Sequence, residues 1–322
     1  MNIKNITVIG CGRWGSFIAG HLADLGFCVT LYGRSSSPHM KMLLETGAND
    51  LMRLPPSVRL SCDLKEATEN LDVLVISIGS QGLRPLCGEL RALGFDRGIA
   101  VLCMKGLEMG TGKRLTTIMG EELGDHVKTA VWLGPGHVQD FRKGTPNCMV
   151  IDSDDDEIKH ALVNAFSSKL IRFYYGQDLI GNEIGAAAKN VIGIAAGLLD
   201  GMGLSPLKGA LMSRGTREIA RLIKALGGNE LSAWGLCHLG DYEATVFSPH
   251  SHNRRFGEAF AKGESFEGLA EGYYTVRALN TLAQKYCVEL PISRTIEEVL
   301  YNERPIKEAL FSLFDRSLKN EF

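Results

Sequence analysis

Ile6-Thr-Val-Ile9 is followed at once by Gly10-Cys-Gly12-Arg-Trp-Gly15, and these ten residues decide the fold of the N-terminal half. They combine a short apolar strand, a G-x-G-x-x-G turn and the start of a helical pattern that runs to Leu25, which is the first strand, turn and helix of a dinucleotide-binding unit. Gly10 permits the tight turn, Gly12 lets the backbone approach a pyrophosphate, and Gly15 allows the helix to pack on the strand. The stretch therefore predicts dinucleotide binding.

The rest of the chain divides into two kinds of pattern. Short apolar runs alternate with amphipathic ones to about residue 175, as in βαβ units around a parallel sheet, and helical patterns follow. We predict an α/β protein with an N-terminal Rossmann-like, doubly wound parallel sheet (1–180) and an all-helical C-terminal domain (181–322). The predicted strands are 6–9, 27–32, 73–77, 99–104, 129–133, 147–151 and 170–174; the predicted C-terminal helices are 178–200, 206–226, 230–235, 255–262, 266–286, 293–301 and 305–318.

Composition narrows the class of partner. With 45% hydrophobic residues, 22% charged residues and a net charge of −2, the chain offers no basic surface for nucleic acid, which favours a small-molecule substrate. We find no N-terminal apolar segment and expect no run of the ~18 apolar residues that span a membrane, so we predict a cytoplasmic protein. The eight cysteines lack C-x-x-C spacing and predict reduced, buried thiols; no metal site is predicted, since the acidic run 152–157 lacks the glycine of a calcium loop and favours a helix start instead.

The end of the second strand bears on the choice of nicotinamide cofactor. An acidic residue there accepts hydrogen bonds from the 2'-hydroxyl of NAD, but residues 32–37 read Tyr-Gly-Arg-Ser-Ser-Ser. The Arg34 guanidinium and three hydroxyls suit a 2'-phosphate, which predicts NADP, with NAD possible. The alternative is that Arg34 stacks on adenine or faces solvent.

Ligands of open α/β sheets bind beyond the carboxyl ends of the strands. Three segments follow such ends: Ser77-Ile-Gly-Ser-Gln81, Lys105-Gly106 and Gly134-Pro-Gly136-His137. Lys105 is the first charged group after a buried run, so it is a candidate for substrate binding; the alternative is an ordinary polar strand end.

A lysine interrupts an otherwise apolar helix. From Ile184 to Leu199 the chain is apolar or small all round except for Lys189 and Asn190. A lysine there is costly unless it is paired, and desolvation favours the neutral amine, which suits proton transfer. We predict that Lys189 is catalytic; the alternative is a lysine at a helix end that reaches solvent.

A polar cluster follows in the same half of the chain. Residues 235–245 place glycines around Asp241 and end at Thr245, and residues 248–257 add hydroxyl, amide, imidazole and guanidinium groups. Such groups suit an anionic ligand, whereas a solvated loop is the alternative.

These motifs, in this order, resemble the NAD(P)-dependent glycerol-3-phosphate dehydrogenase family over nearly the whole chain, most specifically at 185–197, 200–203 and 213–215. The resemblance implies hydride transfer between NAD(P)H and C2 of dihydroxyacetone phosphate or sn-glycerol 3-phosphate, which feeds glycerophospholipid synthesis. It also implies a cytoplasmic homodimer with a phosphorylated small-molecule substrate.

Carried over by position, Lys189 is similar to the family's general base, Lys105 to its substrate-binding lysine, and Asp241 and Thr245 to its supporting acid and hydroxyl. The predicted cofactor contacts are Gly10, Gly12, Arg13, Trp14, Gly15, Arg34, Lys105, Val138, His252, Leu269 and Glu271. The predicted substrate contacts are Lys105, Gly134, Gly136, Lys189, Asn190, Asp241, Ser251, His252, Asn253 and Arg254.

Two departures from the family pattern concern the substrate. Gly136-His137 stands where the family usually has Ser-Phe, and His252 stands where it has a phosphate-binding arginine. We expect His252, His137 or Arg254 to compensate, so that phosphate binding weakens as pH rises through an imidazole pKa near ~6.5. The alternatives are another phosphorylated polyol, a β-hydroxy acid, or an NADP-binding redox sensor without turnover; a sensor has no need of a buried amine.

Overall fold

The structure, a computed structural model, describes residues 3–315 and Asn320 and divides into two compact units. The first runs to Lys105 and resumes over Arg114–Leu179; the second comprises Gly106–Lys113 and the chain from Ile180 onward. The segment Gly106–Lys113 thus lies inside the first predicted domain in sequence but belongs to the second unit, because Leu107 is part of that unit's core. The roles assigned to the two units stay predictions.

The first unit is built on one sheet. Within residues 3–315 its strands are β1 (Asn5–Ile9), β2 (Cys28–Tyr32), β3 (Arg59–Ser61), β4 (Val73–Ile76), β5 (Gly98–Leu102), β6 (Val127–Leu133), β7 (Asn147–Asp152) and β8 (Ile171–Tyr175). Their order is β3-β2-β1-β4-β5-β6-β7-β8. This is the doubly wound Rossmann order extended by two strands, which confirms the predicted fold class.

Two details of the sheet differ from the prediction. The strand β3 was not predicted, because it has only three residues and lies at the edge of the sheet, where its partly exposed side chains leave no apolar run. β7 pairs antiparallel with β6, whereas the other neighbouring strands pair parallel. The prediction of a parallel sheet is therefore wrong for the pair of β6 and β7, because apolar runs do not specify the hydrogen-bonding pattern between two strands.

Helices cover both faces of the sheet, which explains why β4 is buried along its whole length. They are α1 (Arg13–Asp24), α2 (Pro38–Thr46), α3 (Leu64–Thr68), α4 (Leu83–Ala92), α5 (Leu115–Leu123), α6 (Val138–Arg142) and α7 (Asp156–Phe166). The acidic run 152–157 does begin a helix: the Asp155 carboxylate accepts the N–H of Ile158 at 3.1 Å, and Asp156 and Glu157 occupy the first turn of α7.

Within the described residues, the regular secondary structure of the second unit is helical. Its helices are α8 (Leu179–Gly201), α9 (Lys208–Ala225), α10 (His252–Lys262), α11 (Glu271–Lys285), α12 (Pro291–Tyr301) and α13 (Ile306–Ser312). Short 3-10 turns lie at Ser205–Leu207, Glu230–Trp234 and Leu239–Asp241, and a π-helical turn at Glu243–Phe247. The last predicted helix, 305–318, ends earlier, at Ser312; its residues 316–318 lie outside the described residues.

The helix α8 corrects one expectation. By length and composition it could cross a membrane, since it has 23 residues and a window of mean hydropathy 1.2, so the expectation that no run reaches this length was wrong. Within the protein, however, 89% of that window is buried. This burial is typical of a core helix, around which the hydrophobic core of the second unit forms.

The cysteines correct another expectation. All eight are free thiols, but only half of them are buried: Cys11, Cys87, Cys103 and Cys237. Burial raises the pKa of the Cys87 thiol to about 12, so this side chain behaves as an inert core residue. Exposed thiols at Cys28, Cys62 and Cys287 contradict the prediction of buried cysteines.

Candidate active site

The glycine-rich turn has the backbone that its motif predicts. Gly10 has φ +111°, and a Cβ atom there would collide with the Ser77 carbonyl oxygen. A Cβ at Gly15 would collide with the carbonyl oxygen of Gly10. At Gly12, by contrast, a Cβ would meet nothing within 4 Å. Gly10 and Gly15 are therefore required by the protein's own packing, while Gly12 leaves open space beside the backbone.

That open space lies at the start of α1. Gly12 precedes this helix, which begins at Arg13. The structure describes the whole first turn, and this turn contains no acidic residue. The N–H groups and the positive end of the helix dipole favour an anion there, and a carboxylate would oppose it. The residues present thus fit the diphosphate of a dinucleotide.

The end of β2 presents Arg34 together with a carboxylate. Arg34 Nη2 lies 3.1 Å from Oε1 of Glu89 on α4, and both side chains are largely exposed, at 65% and 45%. The segment 32–37 itself contains no acid, so sequence reasoning missed Glu89, which the fold brings from 55 residues away. An exposed pair of this kind is weak, and the assignment of Arg34 to a 2'-phosphate stays a prediction.

Two predicted cofactor contacts are explained by packing. The Trp14 ring stacks on Phe17 with centroids 5.3 Å apart and lies 6.1 Å from the ring of Phe141. Val138, the first residue of α6, is buried in the same cluster. Their contact with a cofactor therefore stays a prediction.

The carboxyl ends of β5 and β6 bring Lys105 to Gly134. The two strands pair parallel, and Lys105 Nζ donates to the Gly134 carbonyl oxygen at 2.6 Å. Gly136 has φ +144°, and a Cβ there would collide with the Phe141 ring. A serine at this position would be strained, so the glycine that departs from the family pattern matches its own backbone.

A stripe of glycines with four-residue spacing winds along α8, which explains the burial of Lys189. Gly185, Gly193, Gly197 and Gly201 share the four-residue spacing of Lys189, so the five positions form one continuous row that winds gradually around the helix. A Cβ at Gly185 would lie 2.9 Å from Cβ of His238, and one at Gly193 would lie 2.8 Å from Cγ2 of Thr245. The backbone of α10 packs in the same way on Gly197 and Gly201. Lys189 is thus the stripe's one long side chain, enclosed by residues 238–245.

The Lys189 ammonium is held by two side chains. Its Nζ lies 2.6 Å from Oδ2 of Asp241 and donates to Oγ1 of Thr245 at 2.9 Å. The side chains of Lys189 and Asp241 are 9% and 1% exposed, which excludes the alternative of a lysine that reaches bulk solvent. The structure thereby brings together three of the four predicted catalytic residues. Thr245 lies in the π-helical turn, a conformation that occurs frequently at functional sites.

Two asparagines connect three helices beside this pair. Asn253 Nδ2 donates to Oδ1 of Asn190 at 3.0 Å, and the N–H of Gly272 donates to Oδ1 of Asn253 at 2.9 Å. Gly272 follows Glu271, the first residue of α11. The predicted substrate residues Asn190 and Asn253 are therefore in direct contact.

Arg254 belongs to a different cluster, centred on Asp200. Arg254 Nη1 lies 2.5 Å from Oδ2 of Asp200, which also binds Nζ of Lys208 at 2.6 Å. The two cations donate as well to the backbone oxygens of Ser248 and Val246, at 3.1 and 3.2 Å. Burial alone would raise the pKa of Asp200, but hydrogen bonds from these cations and from Ser205 lower it. These contacts use Arg254 to support the turn that carries Thr245, so its role in phosphate binding stays a prediction.

The remaining predicted residues lie at the start of α10. Ser251 Oγ accepts the N–H of Arg254 at 3.3 Å, so Ser251 caps the helix. Nδ1 of His252 lies 3.3 Å from the carbonyl oxygen of Leu269, whose side chain is exposed. The Arg255 guanidinium lies 5.8 Å from the ring centre of Phe266. Ligand contacts of His252 and Leu269 stay predictions.

His238 was missed: it lies in the polar cluster 235–245, from which only Asp241 and Thr245 were predicted as site residues. It is fully buried, with Nδ1 2.8 Å from the Gly185 carbonyl oxygen and Nε2 2.7 Å from Oη of Tyr242. Burial lowers the pKa of His238 to about 4. The glycine at every fourth position of α8 was the available signal, since it predicts a segment packed directly on the helix.

Comparison with known proteins covers both units. Family profiles described as the N-terminus and the C-terminus of NAD-dependent glycerol-3-phosphate dehydrogenase match residues 5–159 and 178–311. The chain is 35% identical to glycerol-3-phosphate dehydrogenase [NAD(P)+] of Moorella thermoacetica and 32% identical to that of Prosthecochloris aestuarii, with 98% or more of each chain covered. The crystal structure of glycerol-3-phosphate dehydrogenase from Coxiella burnetii is 28% identical, with a TM-score of 0.92 and coverage of 98% of this chain and 99% of that one.

Proposed function

This chain belongs to the NAD-dependent glycerol-3-phosphate dehydrogenase family, and on that premise we propose how its residues catalyse the reaction. It is an NAD(P)-dependent oxidoreductase that interconverts dihydroxyacetone phosphate and sn-glycerol 3-phosphate. The observation that carries the residue assignment is the buried ion pair of Lys189 and Asp241, because an enclosed amine with a fixed partner suits proton transfer.

In ketone reduction, NAD(P)H supplies the hydride that C2 receives. The Lys189 ammonium donates its proton to the oxygen on C2, so that the ketone gains one hydride and one proton and becomes the alcohol. Asp241 and Thr245 orient the Lys189 amine, and Lys105 stabilises the negative charge that develops on the oxygen. In the reverse direction the neutral Lys189 amine accepts the hydroxyl proton.

The first unit binds the cofactor. Gly10, Gly12 and Gly15 form the turn against the diphosphate, and Arg34 binds the 2'-phosphate of NADP. Trp14 and Val138 are further proposed contacts of this unit, whereas the predicted cofactor contacts Leu269 and Glu271 belong to the second unit. The open space at Gly12 and the acid-free first turn of α1 support this assignment.

For the substrate phosphate we propose Asn253 with His252 or His137. If an imidazolium supplies the positive charge, the KM for the phosphorylated substrate rises as the pH increases through ~6.5, because the neutral ring no longer attracts the phosphate. Steady-state kinetics from pH 5.5 to 8.5 test this, and a flat KM contradicts the histidine assignment. The same assay with other phosphorylated polyols and with 3-hydroxy acids tests the alternative substrates.

We also propose a cellular setting for this protein. The near-neutral net charge and the family assignment support a cytoplasmic homodimer without nucleic-acid or membrane partners, acting in glycerophospholipid synthesis. Sedimentation of the purified protein tests the dimer.

The central experiment is NADPH oxidation with dihydroxyacetone phosphate. Lys189→Ala should lower kcat by about 10³-fold, since the proton donor is lost. The matched control is Lys159→Ala, which also removes a buried, ion-paired lysine from a helix. Lys159 pairs with Asp152 and Asp156 and not with the proposed catalytic residues, so kcat should stay within about twofold of wild type. Equal rates for wild type and Lys189→Ala would refute the assignment, and parallel assays with NADH measure the cofactor preference.

A further inference from the structure

His238 bridges two parts of the second unit. Its ring lies between the Gly185 carbonyl oxygen on α8 and the hydroxyl of Tyr242, and both ring nitrogens are within hydrogen-bond distance of these groups. Gly185 precedes Lys189 by one helical turn on the same stripe. Asp241 lies in the turn that His238 precedes, and its N–H donates to the His238 carbonyl oxygen at 3.0 Å. The imidazole therefore links the helix of Lys189 to the turn of Asp241.

The two partners determine the tautomer. A carbonyl oxygen can only accept, so Nδ1 carries the hydrogen that binds Gly185, and the Nε2 lone pair accepts from the Tyr242 hydroxyl. Burial raises the pKa of Tyr242, which keeps the phenol protonated as a donor. Burial also keeps His238 neutral near pH 7.

The same bonds exclude a proton-carrying role. With both nitrogens engaged by Gly185 and Tyr242, His238 points neither lone pair nor hydrogen at the Asp241 carboxylate. Its influence on Lys189 must therefore be through geometry. A carboxylate held 2.6 Å from an amine tolerates little movement of the segment that carries it.

We infer that His238 is a positioning residue for the reaction: through Gly185 and Tyr242 it holds the Leu239–Asp241 turn against α8, so that Asp241 stays in contact with Lys189. The inference rests on the proposed function of Lys189. No other role in the proposed mechanism uses this buried imidazole, and its two hydrogen bonds span the two elements that the ion pair joins.

Three variants separate the contacts. His238→Leu removes both hydrogen bonds at similar volume and should lower kcat about tenfold or more while the KM for each substrate changes less than about twofold. His238→Asn places an amide N–H where Nδ1 was, so it keeps the contact with Gly185 but not that with Tyr242, and it should restore part of kcat. Tyr242→Phe removes only the hydroxyl and should cause an intermediate loss. If His238→Leu does not fold, the kcat values expected above for His238→Asn and Tyr242→Phe provide the test.

Two measurements by NMR do not depend on activity. The ¹⁵N shifts of the His238 ring should show a protonated Nδ1 and an unprotonated Nε2 at pH 7. The Lys189 ammonium protons, assigned by their loss in Lys189→Ala, should exchange slowly in wild type and faster in His238→Leu, because their acceptors move.

The outcomes are distinct. A wild-type kcat in His238→Leu, the opposite tautomer, or unchanged exchange at Lys189 in a slow His238→Leu enzyme would overturn the positioning role. Full activity of Lys189→Ala would instead refute the proposed function, and the tautomer and exchange measurements would still decide whether His238 controls the ion pair.

Discussion

Lys189 of α8 and Asp241 of the Leu239–Asp241 turn form a buried ion pair with 2.6 Å between Nζ and Oδ2. Removing two charges from water is costly, and the pair is favourable only while each partner compensates the other. The glycine stripe of α8 makes the contact possible, because larger residues at 185 and 193 would displace His238 and Thr245. The catalytic assignment and the stability of the second unit therefore depend on the same contact.

Asp241→Asn should damage both properties. The amide has no charge to offset the buried ammonium, so the free energy of unfolding at pH 7 should fall by about 3–5 kcal/mol, and kcat should fall at least as far as in His238→Leu. Urea denaturation and steady-state kinetics measure the two effects. As a control, Asp156→Asn removes the 82% exposed partner of Lys159 and should leave the urea midpoint close to that of wild type. An Asp241→Asn protein as stable as wild type would contradict the argument.

The glycine turn offers a matched comparison. Gly12→Ala adds a methyl group into open space, so the protein should fold with a thermal midpoint near that of wild type. It should bind NADPH at least about tenfold more weakly, because the backbone can no longer approach the diphosphate. Gly15→Ala puts the same methyl group against the Gly10 carbonyl oxygen and should destabilise the first unit. Equal affinity of Gly12→Ala and wild type, by fluorescence titration, would place the phosphates elsewhere.

Glu89 should weaken the preference for NADP. Its carboxylate pairs with Arg34 at 3.1 Å and would repel a 2'-phosphate, so Glu89→Gln should lower the Kd for NADPH about two- to fivefold and leave that for NADH unchanged. Arg34→Met should have the opposite effect on NADPH. Titration with both cofactors measures the Kd values of the two variants. A parallel change in the Kd for NADH would show that Arg34 and Glu89 do not distinguish a 2'-phosphate from a 2'-hydroxyl.

The stability of the second unit should depend on pH through His238. Burial lowers the pKa of this imidazole to about 4 from 6.5, so the unfolded chain binds more protons between these values and the native state loses stability as pH falls. This loss of stability is absent well above pH 6.5 and reaches about 3 kcal/mol well below pH 4.

The measurement is the free energy of unfolding from pH 4 to 7 in wild type and His238→Asn. The wild-type curve should be steeper, while the buried carboxyl of Glu218, whose pKa burial raises, contributes equally to both proteins. Parallel curves would show that His238 titrates normally or is not enclosed.

Local rules determined the parts of this protein that sequence alone predicted. Gly10 and Gly15 follow from steric needs of the backbone, and the burial of α8 follows from a composition without polar faces. A lysine within that helix needs a partner, and this requirement distinguishes Lys189 in the sequence.

Tertiary structure alone decided which partner it found. Asp241 lies 52 residues beyond Lys189, His238 links the two through a carbonyl oxygen that no side-chain pattern reveals, and Glu89 reaches Arg34 from another element of the sheet unit. The short edge strand β3 and the antiparallel pairing of β6 with β7 have the same origin. Such contacts join distant segments through geometry that only the packed chain defines, because periodicity and composition report the environment of a residue and not the identity of its neighbours.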